Sequence, residues 1–355
     1  MCLGGTHTAL VLPPTPIANT YYDEPFQGEK HPLNLEQCES CGHVQLDRKL
    51  QTFSDYRYRT PKASEPYLKG VASTLKARFP HAKQKLEIGS NNGIYAEILQ
   101  ETMGGSTFQV DPAGSHWACW KIPFDEDAAT RIYRRGGQMD LIVANNVMAH
   151  IHDIDAVMRG VDFLLKDDGA FVVEVQDFQA SLDRGIFDTT YHEHIDYHRP
   201  GPWKRLLNRH NLELSNVEHI TPHGGSIRIT ATRYHKTDWT DPPIDWDAFQ
   251  ERVDAICYRL RNEVPHGSVA WGATSKLVTL LHVADIADRI DYCVDNTPEK
   301  EGKYLPGTDI RIKKDFMPTI GGEIHHPKSV LLGAWNYESV FREHYPTLKY
   351  VNPYG

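Results

Sequence analysis

The sequence has no apolar run approaching the roughly 20 residues that a membrane helix needs, which excludes a membrane span. It has no excess of positive charge either. Thirty-eight Lys and Arg stand against 47 Asp and Glu, a formal charge of -9, so a phosphate-tracking surface has to be a local patch and nucleic-acid binding is disfavoured. No charged segment followed by an apolar stretch and a cleavage site opens the chain, so a cytoplasmic location is expected, where cysteines stay as thiols or bind metal. Cysteine is scarce: six are present, and only Cys38 and Cys41 are close together. What is present is globular in character. Of 355 residues, 40% are hydrophobic and 24% charged, which disfavours wholesale disorder and fits two or three domains. Nineteen histidines are many for this length, and only their positions give that number meaning.

Cys38-Glu-Ser-Cys41 followed by Gly42 has the shape of a zinc knuckle. A tetrahedral structural site needs two more donors, and Cys2 and His7 are the nearest upstream, with His31 or His43 as replacements for His7. A reduced pair without metal is the alternative, whereas a thioredoxin-like redox pair lacks the surrounding strand-to-helix unit. Residues 1–50 carry Pro13, Pro14, Pro16, Pro25 and Pro32 and no helical period, so a metal clip is a reasonable way to hold so small a lobe.

Between residues 61 and 266 strands and helices alternate. Val71, Leu75 and Phe79 share one helical face, which Pro80 ends. Lys85-Leu-Glu87-Ile-Gly89-Ser90-Asn91-Asn92-Gly93 reads as a buried strand entering a glycine turn and then a helix, a place where backbone can approach a ligand. A second strand, Thr107–Asp111, ends in a carboxylate about 20 positions on, suited to the two ribose hydroxyls of an adenosine. A third strand ends in Asn145 and Asn146, and a helix then leads to a fourth strand, Phe171–Val175. The pattern predicts an α/β fold with a doubly wound parallel sheet and ligands at the strand C-termini.

These blocks, Glu87 to Gly93, Val110-Asp111-Pro112, Ala144-Asn-Asn-Val147 with His150, Tyr191-His192-Glu193-His194 and His223-Gly224-Gly225-Ser226, resemble in order the motifs of the S-adenosylmethionine-dependent sugar C-methyltransferases. The resemblance implies a small zinc-binding N-terminal lobe (1–60), a Rossmann-like methyltransferase domain (61–266) and a second Rossmann-like α/β domain (267–355) that helps to hold a nucleotide-linked sugar. It implies S-adenosylmethionine at Glu87, Gly89, Ser90, Asn91, Gly93, Asp111, Pro112, Asn145 and Asn146, and structural zinc at Cys2, His7, Cys38 and Cys41. The family usually shows two Cys-x-x-Cys pairs, and here the first is replaced by Cys2 and His7.

The acceptor it implies is a nucleotide-linked 4-keto-deoxysugar, methylated through an enolate at a carbon next to the ketone, C3 being expected. Such a reaction needs a base, donors for the enolate oxygen and a methyl group in line with the new nucleophile. His194 is the expected base, since an imidazole is substantially deprotonated near neutral pH. Tyr191 and His150 are the expected oxygen donors, and Glu193 and His192 complete the catalytic cluster. As bare residues this cluster also reads as a polar turn or as an unrecognised metal site. Tyr56 and Tyr58 match a block that reaches over the site, and His223, Gly224, Gly225, Ser226 and Arg228 match a substrate-side loop.

In the last segment Val269–Lys276 and Ile290–Asp295 read as strand, turn and a strand ending in a carboxylate. The full Gly-x-Gly-x-x-Gly signature is missing, so nicotinamide binding is disfavoured. Lys276, Trp335 and Asn336 fall in blocks the family uses for its nucleotide-sugar, and Lys276 near a helix N-terminus suits a phosphate. O- or N-methylation of a sugar or sugar-containing metabolite stays open at this point, because a binding fold does not choose the acceptor atom. No nucleic-acid or membrane partner is expected, and a monomer is favoured.

Overall fold

A computed structural model of the chain describes residues 4–50, 60, 64–116, 118–314, 319–320, 323–324 and 327–355. An antiparallel ribbon comes first: β1 (Thr6–Pro16), β2 (Lys30–Cys38) and β3 (Val44–Leu46). Leu10 and Leu12 of β1 are buried while Val11 between them is exposed, the period of two that a strand imposes. The fourth strand of this sheet is β8 (Asp196–Tyr197), which lies two residues beyond His194. The ribbon is thereby hydrogen-bonded to the expected catalytic block, Val44 facing Tyr197 and Gln45 facing Asp196.

The middle of the chain builds a six-stranded sheet. Its strands are β4 (Gln84–Ile88), β5 (Ser106–Val110), β6 (Met139–Asn145), β7 (Leu165–Gln176), β9 (Glu213–Ile220) and β10 (Ser226–Thr232), in the order β5-β4-β6-β7-β10-β9. The first four are parallel and β10 runs antiparallel to both β7 and β9. α1 (Glu65–Arg78) and α2 (Ile94–Met103) cover one face, where Leu75 and Leu99 meet Leu141, Val143 and Val172. α3 (Glu126–Gly136), α4 (Ile154–Leu164) and α6 (Pro200–Arg209) cover the other, where Ile132, Val161 and Trp203 meet Leu86, Ile142 and Phe171. Burial on both faces explains why β4, β6 and the second half of β7 read as continuous apolar runs. Asp125 and Asp153 cap α3 and α4 through their carboxylates, each accepting from a backbone N–H three residues on.

A second sheet holds β11 (Ser268–Trp271), β12 (Ile290–Val294), β13 (Arg311–Lys313), β16 (Val330–Leu332) and β17 (Tyr350–Val351). All neighbours are parallel, in the order β13-β12-β11-β16-β17, with a two-residue hairpin, β14 (Thr319–Ile320) and β15 (Glu323–Ile324), outside it. The molecule is thus α/β, with two Rossmann-like sheets, the first parallel over four strands with an antiparallel extension and the second parallel throughout. α8 (Ser275–Ala284) follows β11 and packs on β1, and α9 (Glu338–His344) follows β16. α7 (Trp246–Glu263), ahead of the break near 266, packs on α8, on β1 and on α5 (Phe178–Arg184). One apolar cluster therefore runs from Leu10 and Leu35 through Phe187 and Tyr191 to Phe249, Leu277 and Ile312. That shared core fixes the catalytic block between the N-terminal ribbon and the C-terminal sheet. Among the described residues no helix is long and apolar enough to cross a membrane.

Candidate active site

Two turns at the C-terminal end of the central sheet form the expected cofactor end. Gly89 and Gly93 have φ of 75° and 82°, and a Cβ on either would lie 2.6 Å from Val147 Cγ2 or 2.7 Å from His116 Cγ. Only glycine fits both the dihedral and the space, which leaves backbone as the floor of the turn. Asn91 also lies in the left-handed region, and its N–H donates to Asp111 Oδ2 at 2.9 Å while Ala113 donates to Oδ1 at 2.7 Å. Asp111 is thus held at the end of β5 with Pro112 exposed beside it. Ser90 Oγ lies 3.2 Å from Cys119 Sγ behind the turn. Glu87 is buried with Oε2 lacking a hydrogen-bond partner, and burial, reinforced by the Asp111 charge, pushes its carboxyl up to about 8. Asn145 ends β6, and Asn146 turns left-handed and donates its N–H to the Glu174 carbonyl. A glycine floor, an acidic strand end and a buried carboxyl with one unpartnered oxygen fit a cationic adenosine cofactor such as S-adenosylmethionine.

The catalytic candidates converge about one side chain. His194 Nδ1 sits 2.9 Å from the Thr189 carbonyl, which can only accept, so Nδ1 carries the proton. Nε2 then presents a lone pair, and the Tyr191 hydroxyl donates to it at 2.6 Å. Burial, followed by the neighbouring His150 and Lys276 charges, holds the His194 imidazole well below the ordinary histidine range, so it is neutral at neutral pH. His150 Nδ1 donates to the Glu193 carbonyl at 2.7 Å, and its ring centroid lies 4.8 Å from that of His194. Glu193 accepts the Asn19 N–H on Oε1 at 2.9 Å, and its buried Oε2 has no hydrogen-bond partner.

His192 is not brought to this group. Its Nε2 donates to the Pro32 carbonyl at 3.2 Å and its ring packs edge-on against His31, so it ties the block to β2. The segment is a turn, closed by the His194 N–H on the Tyr191 carbonyl at 2.9 Å, so residues 192 and 194 do not share a face as they would in a strand. Arg228 is also elsewhere. It bonds Glu174 at 3.1 Å, Glu218 at 3.2 Å and the Tyr67 hydroxyl at 3.0 Å, a network under α1 and not with His194. Tyr56 and Tyr58 lie outside the described residues.

The C-terminal segment does reach the block. Trp335 is buried, donates its indole N–H to Asp188 Oδ2 at 2.7 Å, and carries Lys276 Nζ over its ring at 4.4 Å from the centroid. His223, Gly224 and Gly225 are all left-handed, and a Cβ on Gly224 would lie 2.2 Å from the Trp335 ring, so this loop rests on the indole. Burial and then the Lys276 charge hold His223 down to about 4. Ser226 closes the loop by donating to the Pro222 carbonyl at 3.0 Å, and Asn336 follows Trp335, half-buried, in the same short turn. Sequence reading gave no role to Asp188, Thr189, Asn19 or Tyr354. Their partners are a backbone carbonyl, a backbone amide or side chains more than 140 positions away, and nothing local signals such pairings.

The expected zinc set does not assemble among the described residues, which hold no group of three or more potential ligands. Thr6 is the residue opposite Cys38 in the ribbon, so His7 projects from the other face and is exposed. His43 is bonded through Nε2 to Asp196 at 2.7 Å, and His31 lies against His192. Cys2 lies outside the described residues. No metal enters the chemistry below.

A model of the methyltransferase domain matches residues 56–217, and one of the C-methyltransferase C-terminal domain matches residues 242–349. The C-methyltransferase NovU of Streptomyces niveus is 30% identical over 364 aligned positions, covering 91% of this chain and 86% of that protein. Among solved structures, an O-methyltransferase family protein of Burkholderia thailandensis aligns at a TM-score of 0.36 with 17% identity, over 50% of this chain and 57% of its own. The 1,6-didemethyltoxoflavin-N1-methyltransferase of the same organism, with 1,6-didemethyltoxoflavin and S-adenosylhomocysteine bound, aligns at 0.36 with 14% identity, over 56% and 98%.

Proposed function

The chain belongs to the S-adenosylmethionine-dependent C-methyltransferases, and from that premise we propose that it methylates C3 of a nucleotide-linked 4-keto-deoxysugar through an enolate, with His194 as the base. The hydrogen bond from Tyr191 to His194 Nε2 is the observation that carries this reading. A carbon acceptor has to lose a proton before it can attack, and a neutral imidazole with its lone pair fixed by an anchored Nδ1–H is suited to take it. S-adenosylmethionine supplies the methyl group on a sulfonium, which departs as a neutral thioether when the new carbon-carbon bond forms.

The remaining work falls to the protein. As the ketone enters, the Tyr191 phenol turns its hydrogen bond from Nε2 to the carbonyl oxygen, which exposes the lone pair and places a donor where negative charge develops. The α-proton passes to Nε2, its bonding electrons become the enolate, and the imidazolium is stabilised by Thr189. His150, whose one proton is held by the Glu193 carbonyl, stands beside the pair as an acceptor and not as the second donor expected from the sequence, and the unpartnered Glu193 Oε2 is placed for a sugar hydroxyl. Lys276 and the loop from His223 to Ser226 take the nucleotide end, Lys276 at the start of α8 facing the phosphates. A cytoplasmic, monomeric enzyme is part of the same proposal.

Incubating enzyme with a panel of nucleotide-linked 4-keto-deoxysugars in deuterated water, without methyl donor, tests the reading. Deuterium at C3 is expected with the native protein and not with His194→Ala. Exchange that survives in the variant removes His194 as base, and no exchange with any sugar removes the enolate route.

A further inference from the structure

Asp188 lies at the head of the catalytic block with 0% of its surface exposed. Two residues distant in sequence converge on it, and its neighbour anchors the expected base. Trp335 donates its indole N–H to Oδ2, the Tyr354 hydroxyl accepts the Asp188 backbone N–H at 3.2 Å, and the next residue, Thr189, supplies the carbonyl that anchors His194. Its other oxygen, Oδ1, is buried with no hydrogen-bond partner. Lys276 Nζ, stacked on the same indole, is likewise buried with none. A buried ammonium without hydrogen bonds is costly unless an opposite charge lies near, and a buried carboxylate has the same need. Each has one such group within reach, and it is the other.

We infer that Asp188 is a positioning residue: gripped by Trp335, its carboxylate keeps the Lys276 ammonium charged and aimed, with its hydrogen-bonding capacity unspent, at an anionic oxygen of the substrate. This rests on the reading of Lys276 as the residue that meets the substrate's phosphates. The unspent capacity is the second link in the argument, since a lysine placed only for stability would donate to the carboxylate that neutralises it. The other charged or titratable groups around the pair are His194, His223, Tyr354 and Arg184, the last with its guanidinium 6.0 Å from the Trp335 ring centroid. Burial holds both histidines below the ordinary histidine range, so they are neutral at neutral pH, the tyrosine is pushed well above its ordinary value by burial, and arginine keeps its charge. Between neutral and mildly alkaline pH the Arg184 charge is constant, so a change in the charge that an incoming anion meets has to come from the pair. Asp188 is raised by burial to about 6, so it is ionised through that window, and Lys276 is lowered by burial and supported by Asp188.

Inorganic pyrophosphate serves as the probe, titrated calorimetrically into the full chain loaded with S-adenosylhomocysteine. Native protein is expected to bind it at least about tenfold more tightly than Lys276→Met. In Asp188→Asn the amine loses its counter-charge and titrates within the assay range. The ratio of variant to native dissociation constants is then expected to rise about tenfold from about pH 7 to about pH 9, a comparison that cancels the probe's own titration. Adding Lys276→Arg to Asp188→Asn should flatten that ratio, because guanidinium keeps its charge. A ratio that is flat with pH in Asp188→Asn, or loss of S-adenosylhomocysteine binding by that variant, overturns the inference in favour of a packing role. Pyrophosphate binding that is unchanged in Lys276→Met instead overturns the phosphate reading of Lys276.

Discussion

The Tyr191 hydroxyl donates to His194 Nε2 across 2.6 Å, and the direction of that bond is fixed from the far side of the ring by the Thr189 carbonyl. The pair is preorganised for proton removal only while both anchors hold. Tyr191→Phe, which keeps the ring and loses the donor, is expected to lower kcat by about 10²-fold or more, and His194→Ala by about 10²–10⁴-fold, the usual reach of one acid-base group. S-adenosylmethionine affinity should stay within a few-fold of native in both. A turnover assay paired with calorimetry checks this, and a Tyr191→Phe enzyme of native turnover would show that the phenol is bystander to the chemistry.

Because His194 is depressed by burial, the rate of α-proton exchange should not fall where a free histidine would. A base that is already neutral loses activity only when pH drops through its lowered value, so the acidic limb of the exchange profile is expected well below that of a free histidine. His150, His192 and His198 are also lowered by burial, His198 to about 3, and their effect on stability has the same sign. Below about pH 6.5 the unfolded chain binds protons that the folded one refuses, so each such histidine removes about 1.4 kcal/mol of stability per pH unit until its folded value is reached. Thermal melting from pH 7 to pH 5 should show a falling midpoint, and a flat one would mean that these imidazoles are hydrated in solution.

His192 and His194 are two residues apart in one motif and have different duties. His192→Asn removes the link to the Pro32 carbonyl and the edge contact with His31, so it should cost about 1–2 kcal/mol of stability. Turnover of the folded enzyme should change by no more than about threefold. Melting and kcat together make the distinction: a loss of kcat comparable to that of His194→Ala at an unchanged melting temperature would return His192 to the catalytic group.

The limits of sequence reading follow from the range of the interactions. Strand ends, glycine turns and their carboxylates are local in the chain, and Gly89, Gly93 and Asp111 fall where their spacing places them. The Tyr191 to His194 block is also local, so its residues were legible, but not which of its side chains face inward, because contacts with the N-terminal ribbon, over 140 residues away, decide that. Arg228 looked like a substrate contact beside a glycine loop. Its fate was set by Glu174 across the β7-β10 ladder and by Tyr67 on α1, pairings that only the sheet register reveals. His7 failed as a ligand for a similar reason, since its pairing places it on the face of the ribbon away from Cys38.

Gly89→Ala probes the cofactor turn. The added Cβ would meet Val147 Cγ2 at 2.6 Å on a backbone at φ 75°, so both the contact and the dihedral oppose it. A stability loss of about 1–3 kcal/mol is expected, together with at least about tenfold weaker S-adenosylmethionine binding as the turn shifts. Gly104→Ala is the matched control: its φ is 71°, yet nothing lies within 4 Å of its Cβ, and it is far from the turn. Equal S-adenosylmethionine affinities in the two variants would mean that the close approach at Gly89 has no bearing on the cofactor.

Glu87 makes cofactor binding pH-dependent in a way that can be signed in advance. Burial raises its carboxyl to about 8, so without ligand it is protonated at pH 7 in the folded chain and ionised in the unfolded one. Folding then takes up a proton between about pH 4.5 and 8, and this group's contribution to stability falls as pH rises through that window. A cationic ligand beside it favours the carboxylate, so S-adenosylmethionine binding at pH 7 is expected to release up to one proton and to tighten up to about pH 8. Calorimetry at pH 7 in two buffers of different ionisation enthalpy reads that proton directly. Glu87→Gln should abolish the release and flatten the dependence, whereas an unchanged release in the variant would locate the titrating group elsewhere.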